Sequence, residues 1–325
     1  MKIIFFGTPF FAAEILQHLI QKNYDIVAIV CPPDKMTGRG KKIKSCAVKK
    51  KGLENKINIL QPEKLSNELF IKSLKEFNAD IFVIVAFRML PEIIWKIPSK
   101  GAINLHTSLL PNYKGAAPIN WVLINGEKET GITTFFINNK IDSGDIIMQE
   151  KITLKNNITA AQLHNIMIKN GSILLEKSLQ QIIKSNHNAK KQIKNNYQKA
   201  PKLTKDVLKI NWKKSAYEIH NLVRGLSPFL DKNTILKNIS ICPSAYFHLI
   251  DQNGKIKRIK VLLTEIIDSE SDNSLQIKSD NKTYLNIVTL KNEISIKNLQ
   301  MEGKKPMTIK QFLQGNKITK DHKII

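Results

Sequence analysis

Three side chains able to run an acyl transfer stand in two short stretches, Asn104-Leu105-His106 and Asp142-Ser143-Gly144-Asp145. Side chains alternate across a strand, so Asn104 and His106 project to the same side. The amide donates hydrogen bonds, and the imidazole can donate, accept or carry charge. Asp142 lies between two apolar runs, in a loop that Gly144 lets turn tightly. An acid in such a loop also serves as a plain turn residue, and a lone histidine often does no more than complete a core. Taken together, the three supply donors for a developing oxyanion and a carboxylate for proton traffic, which transfer to an amine requires. There is no Gly-x-Ser-x-Gly and no nearby cysteine, which argues against a covalent acyl-enzyme. Gly7-Thr8-Pro9 completes neither Gly-x-Gly-x-x-Gly nor a phosphate-binding Gly-Lys-Ser/Thr loop, so a nucleotide cofactor has little support. Cys31, Cys46 and Cys242 lack Cys-x-x-Cys spacing, which leaves no zinc site or disulfide framework.

Alternating strands and helices position these groups. Lys2–Phe6, Asp25–Cys31, Asp80–Phe87, Ala102–His106 and Thr130–Ile137 read as strands, and the nearly unbroken DIFVIVAF run reads as one covered on both faces. Phe10–Lys22 and Ile158–Lys184 carry apolar residues at helical spacing. The order predicts an α/β fold: a Rossmann-like, doubly wound, mostly parallel sheet over residues 1–185, with ligands at the strands' carboxyl ends. Residues 186–207 are polar and basic with little periodicity, as in a linker. In residues 208–325, a helix over Ser215–Arg224 precedes five short β-type runs: Tyr246–Ile250, Lys257–Leu263, Leu275–Lys278, Leu285–Val288 and Glu293–Leu299. These suit a small C-terminal β-barrel of OB type.

Composition narrows the partners. The chain has 325 residues, 42% hydrophobic and 24% charged, enough to build real cores. It has no apolar run of membrane-spanning length, and its N-terminus breaks too early for a signal peptide, so a soluble cytoplasmic protein is expected. Lys and Arg number 51 against 27 acids, a formal charge of +24 that suits a polyanion. Residues 186–325 hold 26 basic and 12 acidic side chains. Residues 35–53 hold eight basic side chains and no acid, just past a strand end.

These features resemble the methionyl-tRNA formyltransferase family over nearly the whole chain. The carriers are Phe6-Gly7-Thr8-Pro9, the Gly38-Arg39-Gly40-Lys41-Lys42 loop, Asn104-Leu105-His106, Ser108-Leu109-Leu110-Pro111, Lys114-Gly115-Ala116-Ala117-Pro118-Ile119 and Asp142-Ser143-Gly144-Asp145. Lys202-Leu203-Thr204-Lys205 through Trp212 looks like the family's entry into its second domain. The resemblance implies transfer of the formyl group of 10-formyltetrahydrofolate to the α-amine of methionine on initiator tRNA. Asn104, His106 and Asp142 match the catalytic three, with Asp142 tuning His106 and relaying a proton. Phe87, Arg88, Met89 and Leu90 match the pterin-reading stretch, with Ser108, Leu109, Leu110 and Pro111 beside it. Arg39, Lys41 and Lys42 match the tRNA-contacting loop. No metal, membrane or obligate protein partner is implied, and a monomer is expected. Two departures stand out. Arg88 replaces a glycine in a shortened loop, where it could pair with a folate carboxylate, and Lys114 stands where members often carry arginine. The residues leave other readings open: formyl transfer to an amino sugar or small phosphorylated amine, hydrolysis of the formyl-folate, or an inactive RNA-binding protein.

Overall fold

A computed structural model describes the chain except residues 38–41, 186–187, 194–196, 232–233, 237–240 and 270–274; the side chains of Thr37 and Lys42 also lie outside the described residues. From the N-terminus run β1 (Lys2–Gly7), α1 (Phe10–Gln21), β2 (Asp25–Val30), β3 (Lys35–Thr37), β4 (Lys42–Lys44), α2 (Ala47–Glu54), β5 (Asn58–Leu60) and α3 (Glu68–Glu76). Then come β6 (Ile81–Val85), α4 (Glu92–Trp95), β7 (Ala102–His106), β8 (Lys114–Gly115), α5 (Pro118–Ile124), β9 (Glu129–Phe136), β10 (Ile146–Thr153), α6 (Ala160–Ile183) and β11 (Lys199–Ala200). The remainder is α7 (Lys205–Leu208), α8 (Ala216–Gly225), β12 (Ala245–Ile250), β13 (Ile256–Ile267), β14 (Ile277–Ser279), β15 (Leu285–Val288), β16 (Glu293–Met301), β17 (Met307–Thr308), α9 (Ile309–Gly315) and β18 (Lys323–Ile324).

Two compact units result. One comprises Met1–Gly115, Glu129–Thr153 and His164–Lys199; the other comprises Ala116–Lys128, Leu154–Leu163 and Ala200–Ile325. The first is built on a sheet of order β10-β9-β7-β6-β1-β2-β5. The strands β7, β6, β1, β2 and β5 are parallel, whereas β9 runs antiparallel to both β7 and β10. All five residues of β6 are buried, as its apolar run predicts. Strand order reverses at β1, which has β2 on one side and β6 on the other, so the carboxyl ends of β1 and β6 form the switch point where such sheets bind ligands. Phe11, Ala12, Ala13, Ile15, Leu16 and Leu19 of α1 are buried, the stripe its periodicity predicts. No helix among the described residues is long and apolar enough to cross a membrane.

The second unit carries an antiparallel sheet, β14-β15-β16-β13-β12-β18, with β17 against β16. All five β-type runs form strands, and two short ones join them. Register shifts between Val261 and Thr264, where β13 pairs with β16, bend the long strand and give a half-barrel rather than a flat sheet. Its core gathers Trp212, Ile219, Val223, Phe247, Val261, Ile296 and Phe312. A capping box between Ser215 and Glu218 starts α8. Helix α5 packs in this unit, and Asn120 Nδ2 donates to the carbonyls of Gly225 and Ile241, both at 2.7 Å.

Buried in the same unit, His220 has Nδ1 2.9 Å from Thr264 Oγ1 and Nε2 3.0 Å from Asn157 Oδ1. A neutral ring fits both, accepting from the hydroxyl and donating to the amide oxygen. Burial, then the Arg224 charge, pushes its pKa down to about 4. The unfolded chain therefore binds this proton more readily, and the associated stability is full above the ordinary histidine value near 6.5. It is lost as pH falls from there toward 4, at a cost of up to about 3 kcal/mol. Tm measured between pH 7 and pH 4.5 is expected to fall less steeply in His220→Gln than in the wild type. Parallel slopes would remove His220 from the acid sensitivity.

Candidate active site

Strand β7 delivers the two residues its sequence promises. Ile103 and Leu105 are buried in the sheet, and Asn104 and His106 occupy the alternate positions. His106 is 7% exposed, with Nε2 2.9 Å from the carbonyl oxygen of Tyr113. A carbonyl only accepts, so Nε2 carries the hydrogen and Nδ1 is left for other work. Nδ1 lies 3.8 Å from Asp142 Oδ2, too long for a hydrogen bond and short enough for direct charge interaction. Asn104 is half-buried, and its amide has no hydrogen-bond partner among the described residues.

The Asp142 loop is held from several sides. Asp142 Oδ2 accepts from the Gly115 N–H at 2.9 Å, and its backbone adopts a left-handed φ of 46°. Gln192 Nε2 donates to the carbonyls of Asp142 and Gly144, at 3.1 and 2.9 Å. At Gly144 an added Cβ would sit 1.6 Å from the Phe136 carbonyl oxygen, so only glycine fits. Lys114 Nζ donates to Ser143 Oγ at 3.1 Å and stands 4.7 Å from the centre of the Tyr197 ring.

Ser108–Pro111 continue from β7 and contain a cis peptide at Leu110-Pro111. Thr133, opposite His106 in the β7–β9 register, fixes this loop. Its hydroxyl donates to the Ser108 carbonyl at 2.7 Å and accepts from the Leu110 N–H at 3.1 Å. Gln149 Nε2 donates to the Leu110 carbonyl and to Thr133 Oγ1, both at 2.9 Å. Sequence reasoning missed Thr133, Gln149 and Gln192. For Thr133 a signal existed, a polar pair Thr133-Thr134 inside an otherwise buried strand.

The carboxyl end of the neighbouring β6 carries the other stretch. Ala86 has φ 48°, which turns the chain sharply out of the sheet. Phe87 packs edge-on against Phe6 with centroids 5.7 Å apart. Arg88 donates from Nη2 to the Pro62 carbonyl at 2.6 Å and from Nη1 to the Glu63 carbonyl at 2.8 Å. Met89 is 73% exposed, whereas the Leu90 side chain goes into the core, leaving its backbone for any ligand. The structure thus brings Asn104, His106 and Asp142 together, with Phe87–Leu90 and Ser108–Pro111 at adjacent strand ends. Arg39 and Lys41 lie outside the described residues, and Lys42 is described only as the first residue of β4.

Chemically the cluster offers an amide donor and an imidazole nitrogen from β7 and a carboxylate from the loop before β10, the amide having no partner among the described residues. Among the described residues no group of three His, Cys, Asp or Glu could hold a metal ion. Residues 1–205 match the formyl transferase family model and residues 202–317 the model of the formyl transferase C-terminal domain. A methionyl-tRNA formyltransferase from Azobacteroides pseudotrichonymphae is 41% identical, over 97% of this chain and 96% of that protein. One from Flavobacterium johnsoniae is 40% identical, over 100% and 99%. Among solved structures, WlaRD, a sugar 3N-formyl transferase determined with dTDP and 5-N-formyl-THF, matches with a TM-score of 0.63 and 25% identity, covering 94% of this chain and 99% of that one.

Proposed function

We infer the reaction from a plain premise: the chain belongs to the methionyl-tRNA formyltransferase family. It transfers a formyl group from a folate carrier, 10-formyltetrahydrofolate, to the α-amine of methionine on initiator tRNA. The observation that carries this reading is the convergence of Asn104, His106 and Asp142 at the strand ends. The Asn104 amide, without a partner among the described residues, is the sort of group a folate-borne formyl oxygen would satisfy. When bound, the folate supplies the formyl carbon and a nitrogen leaving group. Asn104 Nδ2–H and a protonated His106 Nδ1 stabilise the oxyanion that forms as the neutral amine adds to that carbon. Asp142 takes the proton the amine sheds and passes it on to the departing folate nitrogen, so one C–N bond forms and another breaks.

Backbone groups at Phe87, Arg88, Met89 and Leu90 read the pterin, with Ser108, Leu109, Leu110 and Pro111 forming the adjacent wall. Arg88 fixes its loop through the Pro62 and Glu63 carbonyls and has further N–H groups for a folate carboxylate. Formyl transfer is the work of residues 1–185, and the basic linker 186–207 leads to 208–325, which holds the tRNA. On the outer face of β12 and β13, Tyr246, His248, Arg258 and Lys260 mix rings with cations, the Arg258 guanidinium lying 3.9 Å from the Tyr246 ring centre. Such a face suits a nucleic-acid backbone. The protein acts as a monomer, in the cytoplasm.

Incubation with 10-formyltetrahydrofolate and Met-charged initiator tRNA is expected to yield formyl-methionine on deacylation. Release of formate without acceptor, or preference for an amino-sugar nucleotide, would overturn the reading. Arg39, Lys41 and Lys42 place the acceptor end. Arg39→Ala is expected to lower kcat/KM for Met-tRNA about tenfold and to weaken binding by less. An effect on binding as large as that on kcat/KM would make the loop a mere anchor.

A further inference from the structure

Lys114 brings into this site a cation that the proposed transfer does not use. It sits in β8 between Tyr113, whose carbonyl holds His106, and Gly115, whose N–H holds Asp142. An ammonium has three donors. The described residues give this one a single hydrogen-bond partner, the Ser143 hydroxyl, and an aromatic face from Tyr197. Tyr197 itself is held near by the Tyr113 N–H, which donates to the next residue's carbonyl, Gln198 O, at 2.6 Å. Burial lowers the Lys114 pKa, and Asp142 opposes that shift without ion-pairing with the ammonium. A charge drawn from water with so little compensation gains most from an incoming anionic oxygen.

We infer that Lys114 binds a phosphodiester oxygen of the acceptor's terminal nucleotide and thereby sets the methionyl amine against the His106–Asp142 pair. The inference rests on the formyl-transfer reading of the site. An aminoacyl ester offers an amine and neutral oxygens at its reacting end, so the first anion along that substrate is the phosphate beyond the terminal ribose. The aromatic ring on one side of the ammonium narrows the directions it can take. A folate carboxylate is the other source of anionic oxygen, and the experiment separates the two.

The test uses the full chain and two acceptors: Met-tRNA, and 3′-O-methionyladenosine, which keeps the ester and amine but has no phosphate. Failure of the wild type to formylate either would refute the underlying reading, before any variant is compared. With an active wild type, Lys114→Gln is expected to lose about tenfold more in kcat/KM on Met-tRNA than on methionyladenosine. Its folate KM should be unchanged, and its plot of log tRNA affinity against log salt should flatten by about one unit or less. Lys114→Arg should recover most of both losses. The two acceptors are compared within each variant, so a loss of folded protein cancels. An equal loss on both acceptors would mean that the cation serves the reacting centre instead. A raised folate KM with an unchanged salt slope would assign the anion to folate, and wild-type behaviour throughout would leave Lys114 no role in binding. Each of these results overturns the inference.

Discussion

His106→Ala is expected to lose about 10²–10³-fold in kcat while still folding. The imidazole is aimed rather than merely present, because Nε2 is committed to the Tyr113 carbonyl and Nδ1 faces Asp142 across 3.8 Å. On the proposed mechanism, truncation removes a donor from the position where negative charge develops, worth roughly 3–4 kcal/mol of barrier. Asp142→Ala should fall comparably, since it removes the proposed proton acceptor and also leaves the Gly115 N–H without its carboxylate. Single-turnover formylation alongside a melting curve checks both. Wild-type kcat in either variant, with a normal melt, would move the reacting centre elsewhere.

Gly144→Ala should damage the site without touching a reacting group. The new methyl would need to occupy space 1.6 Å from the Phe136 carbonyl oxygen. That backbone cannot easily retreat, because the Phe136 N–H donates to the Asp145 carbonyl at 2.9 Å and closes the same loop. The loop must move instead, and Asp142 moves with it, out of reach of the Gly115 N–H and Gln192. A displacement near 1 Å at such a group costs about 10²-fold in rate. Steric strain of this kind also lowers stability by a few kcal/mol, which calorimetry would register as a drop in Tm. A variant as stable and as fast as the wild type would show that the loop has slack.

The candidate site was half legible in the chain. Asn104 and His106 share a side by strand alternation, a rule that needs no tertiary information. Asp142 could be suspected by type alone, and only the β9–β10 turn brings it to His106. Thr133, Gln149 and Gln192 look ordinary in sequence because their roles depend on register and on chain neighbours far away. Most of the long strands and helices were readable for the same reason that they are stable, a full apolar face of their own; β10, whose buried residues are Ile147 and Ile152, carried no such signal. The short elements β3, β4, β5, α2 and α3 were not readable. Three-residue strands carry too little periodicity, and Glu68–Glu76 buries only Phe70, Ile71 and Leu74, taking its order from the surrounding core. The basic loop through Arg39 was legible as charge and as a motif of the family it resembles, and residues 38–41 lie outside the described residues.

The interleaving of the two units has a consequence for how this chain comes off the ribosome. Residues 116–128 and 154–163 are synthesised early, yet their unit is completed by Ala200–Ile325. Until α8 emerges, Ile124 of α5 lacks the core it packs against, and Asn120 lacks the carbonyls of Gly225 and Ile241. The core waits longer still, for Phe312, Ile318 and Ile324. The intervening Glu129–Thr153, which supplies Asp142, belongs to the first unit and is flanked on both sides by stretches awaiting their partners. A nascent chain of this order exposes apolar surface until the stretch from Phe312 to Ile324 has been made. Ribosome-bound fragments ending before residue 300 are therefore the species on which a chaperone would act, and a stop codon in that region would leave a fragment with its second core unclosed.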